Sequence, residues 1–335
     1  MTIIGITMGC PVSIGPEIIL RYFSRGTVQK DLHPVVLGDR NVLEWCGREL
    51  NLPSPCVDWT PGSPLPNHGI PVVELSNLPT DELSWGIPSR KTGQAMANYI
   101  LKGVELVQQG MLDCLATCPI SKASLNDAGY HFPGHTEMLA KLTGASGYGM
   151  MMAGAKLRVT LVTIHCPLAE VSTRLSQESI LNMIRITHRA LVVDFGLSNP
   201  RIGVAGFNPH GGENELFGSE EQQLISPAIE SGRNENMNLS GPYPPDTVFH
   251  KAASGGLDAV VCMYHDQGLI PIKLLHFEDG VHVTLGLPLV RTSVDHGTAY
   301  DIAGQGRASD ASLTAAVNMA RAISRNRERH QNSGV

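Results

Sequence analysis

LDAVVCMYHDQGLIPIK, residues 257–273, runs from a largely apolar stretch into a cluster of polar groups. Leu257 to Met263 has the length and composition of a strand buried in a parallel sheet. His265, Asp266, Gln267 and Gly268 follow at once, and Lys273 comes seven residues past the aspartate. Packing calls for none of these groups, and burying them unpaired would cost several kcal/mol each. The end of this strand is therefore expected to meet a ligand.

Two earlier segments repeat the event. Leu157 to Ile164 (LRVTLVTI) reads as a strand and leads to His165; Arg201 to Phe207 (RIGVAGF) reads as a strand and leads to His210 in NPHGG. In open α/β sheets the carboxyl edge of the strands is where ligands bind. A lone histidine at a strand end is usually a loop residue bonded to backbone. Recurrence at three equivalent places favours one shared metal centre of His165, His210 and His265, since three protein ligands plus open positions make a catalytic metal site.

Around these strands, short apolar runs alternate with helical patterns, which predicts an α/β protein with a mainly parallel sheet. TIIGIT leads into GPEIILRYF, with Pro16 suited to a first helical turn. GQAMANYILKGVELVQQG puts Met96, Ile100, Val104 and Val107 on one face and stops at Gly110. SQESILNMIRITHRALVVDFG and ASLTAAVNMARAISRN are further helices, and GSEEQQLISPAIESG places Ser219 and Gln222 at capping-box spacing. Leu52 to Pro88 is rich in Pro, Asn and Gly and reads as loop with one short strand at IPVVEL.

A chain of 335 residues has room for two domains, and 42% hydrophobic against 17% charged residues supplies a large soluble core. A net charge of −6 argues against a nucleic-acid partner, and the basic tail SRNRERHQNSGV reads as a solvated terminus. No apolar run is long enough to span a membrane, and Met1 to Gly9 lacks the pattern of a secretory leader. Seven scattered cysteines without CxxC pairs read as reduced thiols, so a cytoplasmic protein is expected.

Further polar groups fall on the same sheet edge. CPISK presents Ser121 and Lys122 near a helix start, and FPGHTEMLAKL puts His135 and Thr136 at a helix opening, where free N–H groups favour an anion. Thr136 there is alternatively an N-cap, as is Asp246 in GPYPPDTVFHKA. Lys273 and Arg291 interrupt apolar segments, as expected of cations that meet a carboxylate or phosphate. The site is thus expected to take a small, phosphorylated anion.

DHGTAYDIAGQG, residues 295–306, resembles the adenosine-binding loop of the metal-dependent β-decarboxylating dehydrogenases. That resemblance implies His296, Gly297, Ala299 and Asp301 around the adenine and ribose of NAD. A carboxylate facing the ribose diol would repel the 2′-phosphate of NADP. No GxGxxG fingerprint is present; TMGCPVSIGPE is the accompanying glycine-rich turn.

CPISK, FPGHTE, NPHGGE, GPYPPDT, MYHDQGLIPIK and TLGLPLVRTSVDHGTAYDIAG together resemble the 4-hydroxythreonine-4-phosphate dehydrogenase family in order and spacing, over nearly the whole chain. The family is named for a step of pyridoxal phosphate synthesis. The resemblance implies an isocitrate/isopropylmalate dehydrogenase-like fold of two α/β/α domains with the active site in the cleft between them. Residues 1–115 with 290–335 would form the cofactor-side domain, and 116–289 the metal, substrate and dimerisation domain. It further implies a homodimer in which His265 reaches the metal from the partner subunit, and substrate contacts at His135, Thr136, Lys273 and Arg291. Two positions depart from the family pattern. Its glycine–aspartate–proline–alanine–glycine turn reads Gly9, Cys10, Pro11, Val12 and Ser13, and a substrate-facing asparagine becomes His282. The second change points toward relatives acting on D-threonate 4-phosphate.

The chemistry implied is NAD-dependent, metal-dependent oxidation of a 4-phosphorylated four-carbon hydroxy acid, followed by decarboxylation of the β-oxo acid. Lys273, Asp246 and Asp266 are the candidates for proton transfer. Imidazole donors favour Zn, Co or Mn, whereas Mg usually takes carboxylates. Two alternatives stay open at this level: a metal-dependent hydrolase, and a non-catalytic relative that binds a phosphorylated ligand.

Overall fold

The computed structural model describes residues 1–26 and 31–333. In chain order the first elements are β1 (Thr2–Thr7), α1 (Gly15–Ser24), β2 (Leu32–Gly38), α2 (Arg40–Leu50), β3 (Cys56–Asp58), β4 (Ile70–Glu74), α3 (Arg90–Gln108), β5 (Cys114–Thr117), α4 (Lys122–Asp127) and α5 (His135–Thr143). Next come β6 (Gly149–Ala153), β7 (Arg158–Leu161), α6 (Val171–Arg174), α7 (Gln177–Val193), β8 (Ile202–Ala205), α8 (Ser226–Asn234), β9 (Leu239–Tyr243), α9 (Val248–Ala253), β10 (Ala259–Cys262), α10 (His265–His276) and β11 (Val281–Leu285). The chain closes with β12 (Val290–Val294) and α11 (Ala311–Asn332). The fold is α/β with mostly parallel strand pairs, as the alternating pattern predicts.

Contacts divide the chain into two units, Met1–Ser146 with Leu287–Ser324, and Gly147–Gly286 with Arg325–Val335. The expected division fell at 115/116 and 289/290; by contacts α4 and α5 go with the first unit. In the first unit the strands lie in the order β3-β4-β2-β1-β5-β12, all parallel. Such strands are buried on both faces and read as near-continuous apolar runs. Accordingly Ile4, Ile6, Val35, Val36 and Leu37 are wholly buried. Helix α3 packs Met96, Ile100 and Val104 into that core, and its amphipathic face was legible in the sequence. Its start is a capping box of Ser89 and Thr92.

In the second unit the order is β11-β6-β7-β10-β8-β9. Here β11, β6 and β7 pair antiparallel, while β7, β10, β8 and β9 pair parallel. The three strands expected to carry histidines are therefore direct neighbours, with β10 in the middle. Their core joins Val159, Leu161, Ala205, Val260 and Cys262 to Leu269 and Ile272 of α10.

Three local expectations are corrected. The Ser219–Gln222 capping box is not made: the helix enters through a wide turn at Glu221–Ile225 with no side-chain cap. Glu221 is instead buried and serves a loop described below. Thr136 is no N-cap, because Gly134 holds that position ahead of α5. Nor is Asp246 a cap, since α9 follows Thr247 without a side-chain bond. The basic tail continues α11 to Asn332, where Arg327 Nε donates to Asp194 Oδ1 at 2.6 Å and Asn326 Nδ2 donates to the Asp194 carbonyl at 2.9 Å. Gly334 and Val335 of that tail lie outside the described residues. Among the described residues no helix is long and apolar enough to cross a membrane.

Candidate active site

Each of the three neighbouring strands β7, β8 and β10 is followed within a few residues by a histidine, and two buried side chains fasten the ends of β8 and β10. Gln267, in the first turn of α10, accepts from the Met263 N–H at 2.7 Å and donates to the Gly206 carbonyl at 2.7 Å. It thereby ties the end of β10 to the end of β8. Gly268 is required by packing, since a Cβ there would lie 2.9 Å from Leu161 Cδ2 and 3.1 Å from Cys262 Sγ. The expectation that packing needs none of the His265–Gly268 groups is thus half corrected. Gln267 and Gly268 are structural, whereas His265 and Asp266 point outward.

The second buried anchor is Glu221. Its carboxylate accepts from the Phe207 and Asn208 N–H groups, each at 2.7 Å, and from Asn208 Nδ2 at 2.9 Å. This carboxylate fastens the base of the loop carrying His210. His210 has φ 54° and ψ 19°, and positive φ continues at Gly211, Gly212, Glu213, Asn214 and Glu215. Such a run is costly for non-glycine residues and persists only where the surroundings enforce it. Neither anchor was anticipated from the sequence. The only available signal was a glutamine or glutamate beside a histidine-bearing turn.

On one chain the His165 and His265 rings are 5.5 Å apart between centroids and tilted by 43°. Two imidazoles sharing one zinc place their centres about 5 Å apart, given Zn–N bonds of about 2.0 Å. His265 Nδ1 lies 2.7 Å from Asp266 Oδ1. A carboxylate accepts only, so Nδ1 carries the proton and Nε2 is left for a metal. His210 does not join this pair; its ring sits 6.0 Å from that of Phe217. Among the described residues of a single chain, no set of three or more His, Cys, Asp or Glu side chains is close enough to hold an ion. One chain supplies two neighbouring imidazoles and a third elsewhere on the same edge.

A cavity of about 540 Å³ opens beside them, lined by His210, Asp246, Asp266 and Tyr264 and by apolar Phe207, Phe249, Ile270 and Leu274. Asp266 therefore touches both the histidine pair and the cavity. Lys273 does not line it, and its ammonium lies over the Phe277 ring at 5.8 Å. Along α10, Ile270, Leu274, Leu275 and Phe277 leave a large apolar face exposed, with Leu274 at 82% and Phe277 at 76%. His282 lies on β11, opposite Met152.

The first unit holds the remaining candidates. His135 and Thr136 open α5, and Ser121 caps α4 by accepting from the Ser124 N–H at 3.2 Å. Arg291, on β12, is wholly enclosed and donates through Nε and Nη2 to Thr117 Oγ1 at 3.1 and 2.7 Å. Burial pushes its guanidinium down to about 9, and the nearby Glu137 works against that shift. It is thus a protonated cation at neutral pH.

Residues 295–306 form turns between β12 and α11 that rest on the Met8–Pro16 turn. The Ile14 N–H donates to the Thr298 carbonyl at 3.3 Å, and the Tyr300 hydroxyl donates to Cys10 Sγ at 3.4 Å. Burial pushes both the Tyr300 hydroxyl and the Cys10 thiol above their usual ranges, so both are protonated. Within the Cys10–Ser13 turn Ser13 Oγ donates to the Cys10 carbonyl at 2.7 Å, and the Cys10 N–H donates outward to the Pro119 carbonyl at 2.8 Å. His296 Nδ1 lies 3.1 Å from the Gly297 carbonyl oxygen, and space beyond Gly297 is open. Ala299 takes φ 43°. Asp301 is exposed, and Gln305 Nε2 holds it through its carbonyl at 2.6 Å. An exposed carboxylate on a loop fixed through its backbone suits a ribose diol.

Comparison with known proteins shows the family. Residues 30–320 match the family model described as pyridoxal phosphate biosynthetic protein PdxA. A 4-hydroxythreonine-4-phosphate dehydrogenase of Desulforapulum autotrophicum is 52% identical over 323 residues, covering 95% of this chain and 94% of that protein. A D-threonate 4-phosphate dehydrogenase of Cupriavidus necator is 41% identical, covering 95% and 96%. The crystal structure of a 4-hydroxythreonine-4-phosphate dehydrogenase from Klebsiella pneumoniae superposes with a TM-score of 0.88 at 37% identity, covering 97% of this chain and 100% of that one.

Proposed function

This chain belongs to the family of the pyridoxal phosphate biosynthetic protein PdxA, and from that premise we propose that it oxidises a 4-phosphorylated four-carbon hydroxy acid, with NAD as oxidant and a divalent metal ion as helper. The substrates read most directly from its relatives are 4-phosphooxy-L-threonine and D-threonate 4-phosphate. The observation that carries the reading is the His165–His265 pair at the carboxyl edge of parallel strands, 5.5 Å apart, beside the cavity of His210, Asp246 and Asp266.

Bound NAD would take the hydride, and a bound ion would make the reacting hydroxyl easier to deprotonate. The chain's own groups do the rest. His165, His210 and His265 would hold the ion. One chain brings His165 and His265 together and leaves His210 apart, so the crossing of His265 to a second copy rests on the family resemblance and not on this pair. The exposed apolar face of α10 supports the same homodimer, because a face of that kind marks an interaction surface. Asp246 and Asp266, in the cavity wall, and Lys273 are the groups to accept and return the proton. Oxidation at the hydroxyl β to the carboxylate yields a β-oxo acid, which loses carbon dioxide and takes a proton in its place. His135, Thr136, His282 and the enclosed cation of Arg291 would hold the anionic substrate still, and His296, Gly297, Ala299 and Asp301 would face the nucleotide. The imidazole donor set favours zinc, cobalt or manganese over magnesium.

The test is NADH formation from 4-phosphooxy-L-threonine, D- and L-threonate 4-phosphate and D-erythronate 4-phosphate, each with several divalent ions and after chelation. Turnover of one acid, abolished by the chelator, is expected. Absence of NADH with every acid and ion overturns the reading.

A further inference from the structure

The loop carrying Asp301 has no ladder or helix of its own between β12 and α11, so its position comes from what it packs against. The closest approach is at Gly304. A Cβ added there would lie 2.3 Å from Trp85 Cδ1, 2.4 Å from Cγ and 2.7 Å from Nε1. Gly304 has φ +75°, so both backbone angle and space demand glycine. The neighbouring Gly86 repeats this from the other side. Its φ is +77°, and a Cβ there would lie 3.0 Å from the Tyr300 carbonyl oxygen. Gly86 N–H also donates to the Val12 carbonyl at 2.8 Å. Trp85–Gly86 is therefore wedged between the loop and the glycine-rich turn.

The wedge is rigid. The Trp85 ring stacks on that of Trp45 at 4.1 Å with planes 14° apart, and Trp45 belongs to α2. Among the described residues, the buried Nε1 of Trp85 has no hydrogen-bond partner. The indole is there as a flat surface, not as a donor.

We propose that Trp85, braced by Trp45, is the positioning residue of the nucleotide loop: its ring sets the backbone height at Gly304 and so places Asp301 against the ribose of NAD. This rests on the reading of residues 296–301 as the NAD loop. Trp85 does not touch the reacting atoms, so its loss acts on cofactor binding and leaves the chemical step alone.

The experiment compares wild type with Trp85→Ala, Trp85→Phe and Gly304→Ala. It measures NAD affinity by calorimetry, steady-state kinetics with the phosphorylated acid, and amide exchange of residues 296–306. Trp85→Ala is expected to weaken NAD binding on the order of tenfold, with kcat and the KM of the acid within a factor of about two. Faster exchange in the loop should accompany it, and Trp85→Phe, which keeps a ring, should recover most of the affinity. Gly304→Ala pushes the loop off the same ring and should weaken NAD in the same way. A folded Trp85→Ala protein that binds NAD like wild type overturns the proposal. If that variant does not fold, unchanged affinity in Gly304→Ala overturns it. Failure of wild type to bind NAD at all removes the underlying reading of the loop as well, and is distinguished by the wild-type titration alone.

Discussion

His265 Nδ1 and Asp266 Oδ1 are 2.7 Å apart, although the two residues are consecutive. They open α10, and because a carboxylate only accepts, Nδ1 carries the proton and Nε2 is the nitrogen that can take a metal. A ligand ring held in one tautomer by a carboxylate is more basic and better aimed. Asp266 also lines the cavity, so under the proposed function the same group would orient a metal ligand and face the substrate.

Replacing Asp266 by Ala is therefore expected to weaken zinc binding by about 10- to 100-fold while leaving the fold intact. Competition with a chromophoric chelator measures this. Unchanged affinity would remove Asp266 from the metal centre.

Leu274 is the most exposed large apolar residue of α10. If the proposed homodimer uses this face, Leu274→Glu buries a charge in it, so sedimentation is expected to show a dimer for wild type and monomers for the variant. Metal content should fall with it, since among the described residues a lone chain closes no ligand set. A Leu274→Glu protein that is dimeric and fully metallated would refute both the interface and the shared centre.

Gln267 bridges two strand ends with both ends of its amide. Gln267→Leu leaves the Met263 N–H and the Gly206 carbonyl buried without that partner, at a cost of about 1–3 kcal/mol each. Urea unfolding should show a lower midpoint with an unaltered slope, and zinc affinity should fall because His265 loses its footing. An unshifted midpoint would make the bridge energetically silent.

Burial pushes the Glu74 carboxyl up to about 7, with Asp39 and Asp58 adding to the shift and the Arg40 N–H opposing it. Between its unfolded value of about 4.3 and 7, the folded chain holds this proton more tightly than the unfolded chain does. The contribution is present at low pH and fades as pH rises through 7. Glu74→Gln should then melt higher than wild type at pH 8, and by a smaller margin at pH 5. Equal melting at both pH values would show Glu74 to be an ordinary carboxylate.

The local grammar of this chain determined much on its own. Apolar runs at TIIGIT, LRVTL and DAVVC could only be buried strands, and the spacing of Met96, Ile100 and Val104 could only be one helix face. Histidines at positions 165, 210 and 265, each just past an apolar run, marked the carboxyl edge of a sheet. These are matters of period and burial, which neighbouring residues carry between them. Tertiary structure alone decided that β10 lies between β7 and β8, that His165 meets His265 rather than His210, and that Gln267, Glu221 and Trp85 set the loops. Those outcomes depend on contacts between residues far apart in the chain, such as Gln267 with Gly206 and Gly304 with Trp85. Spacing along a polymer does not encode such distances; only the packed core selects them.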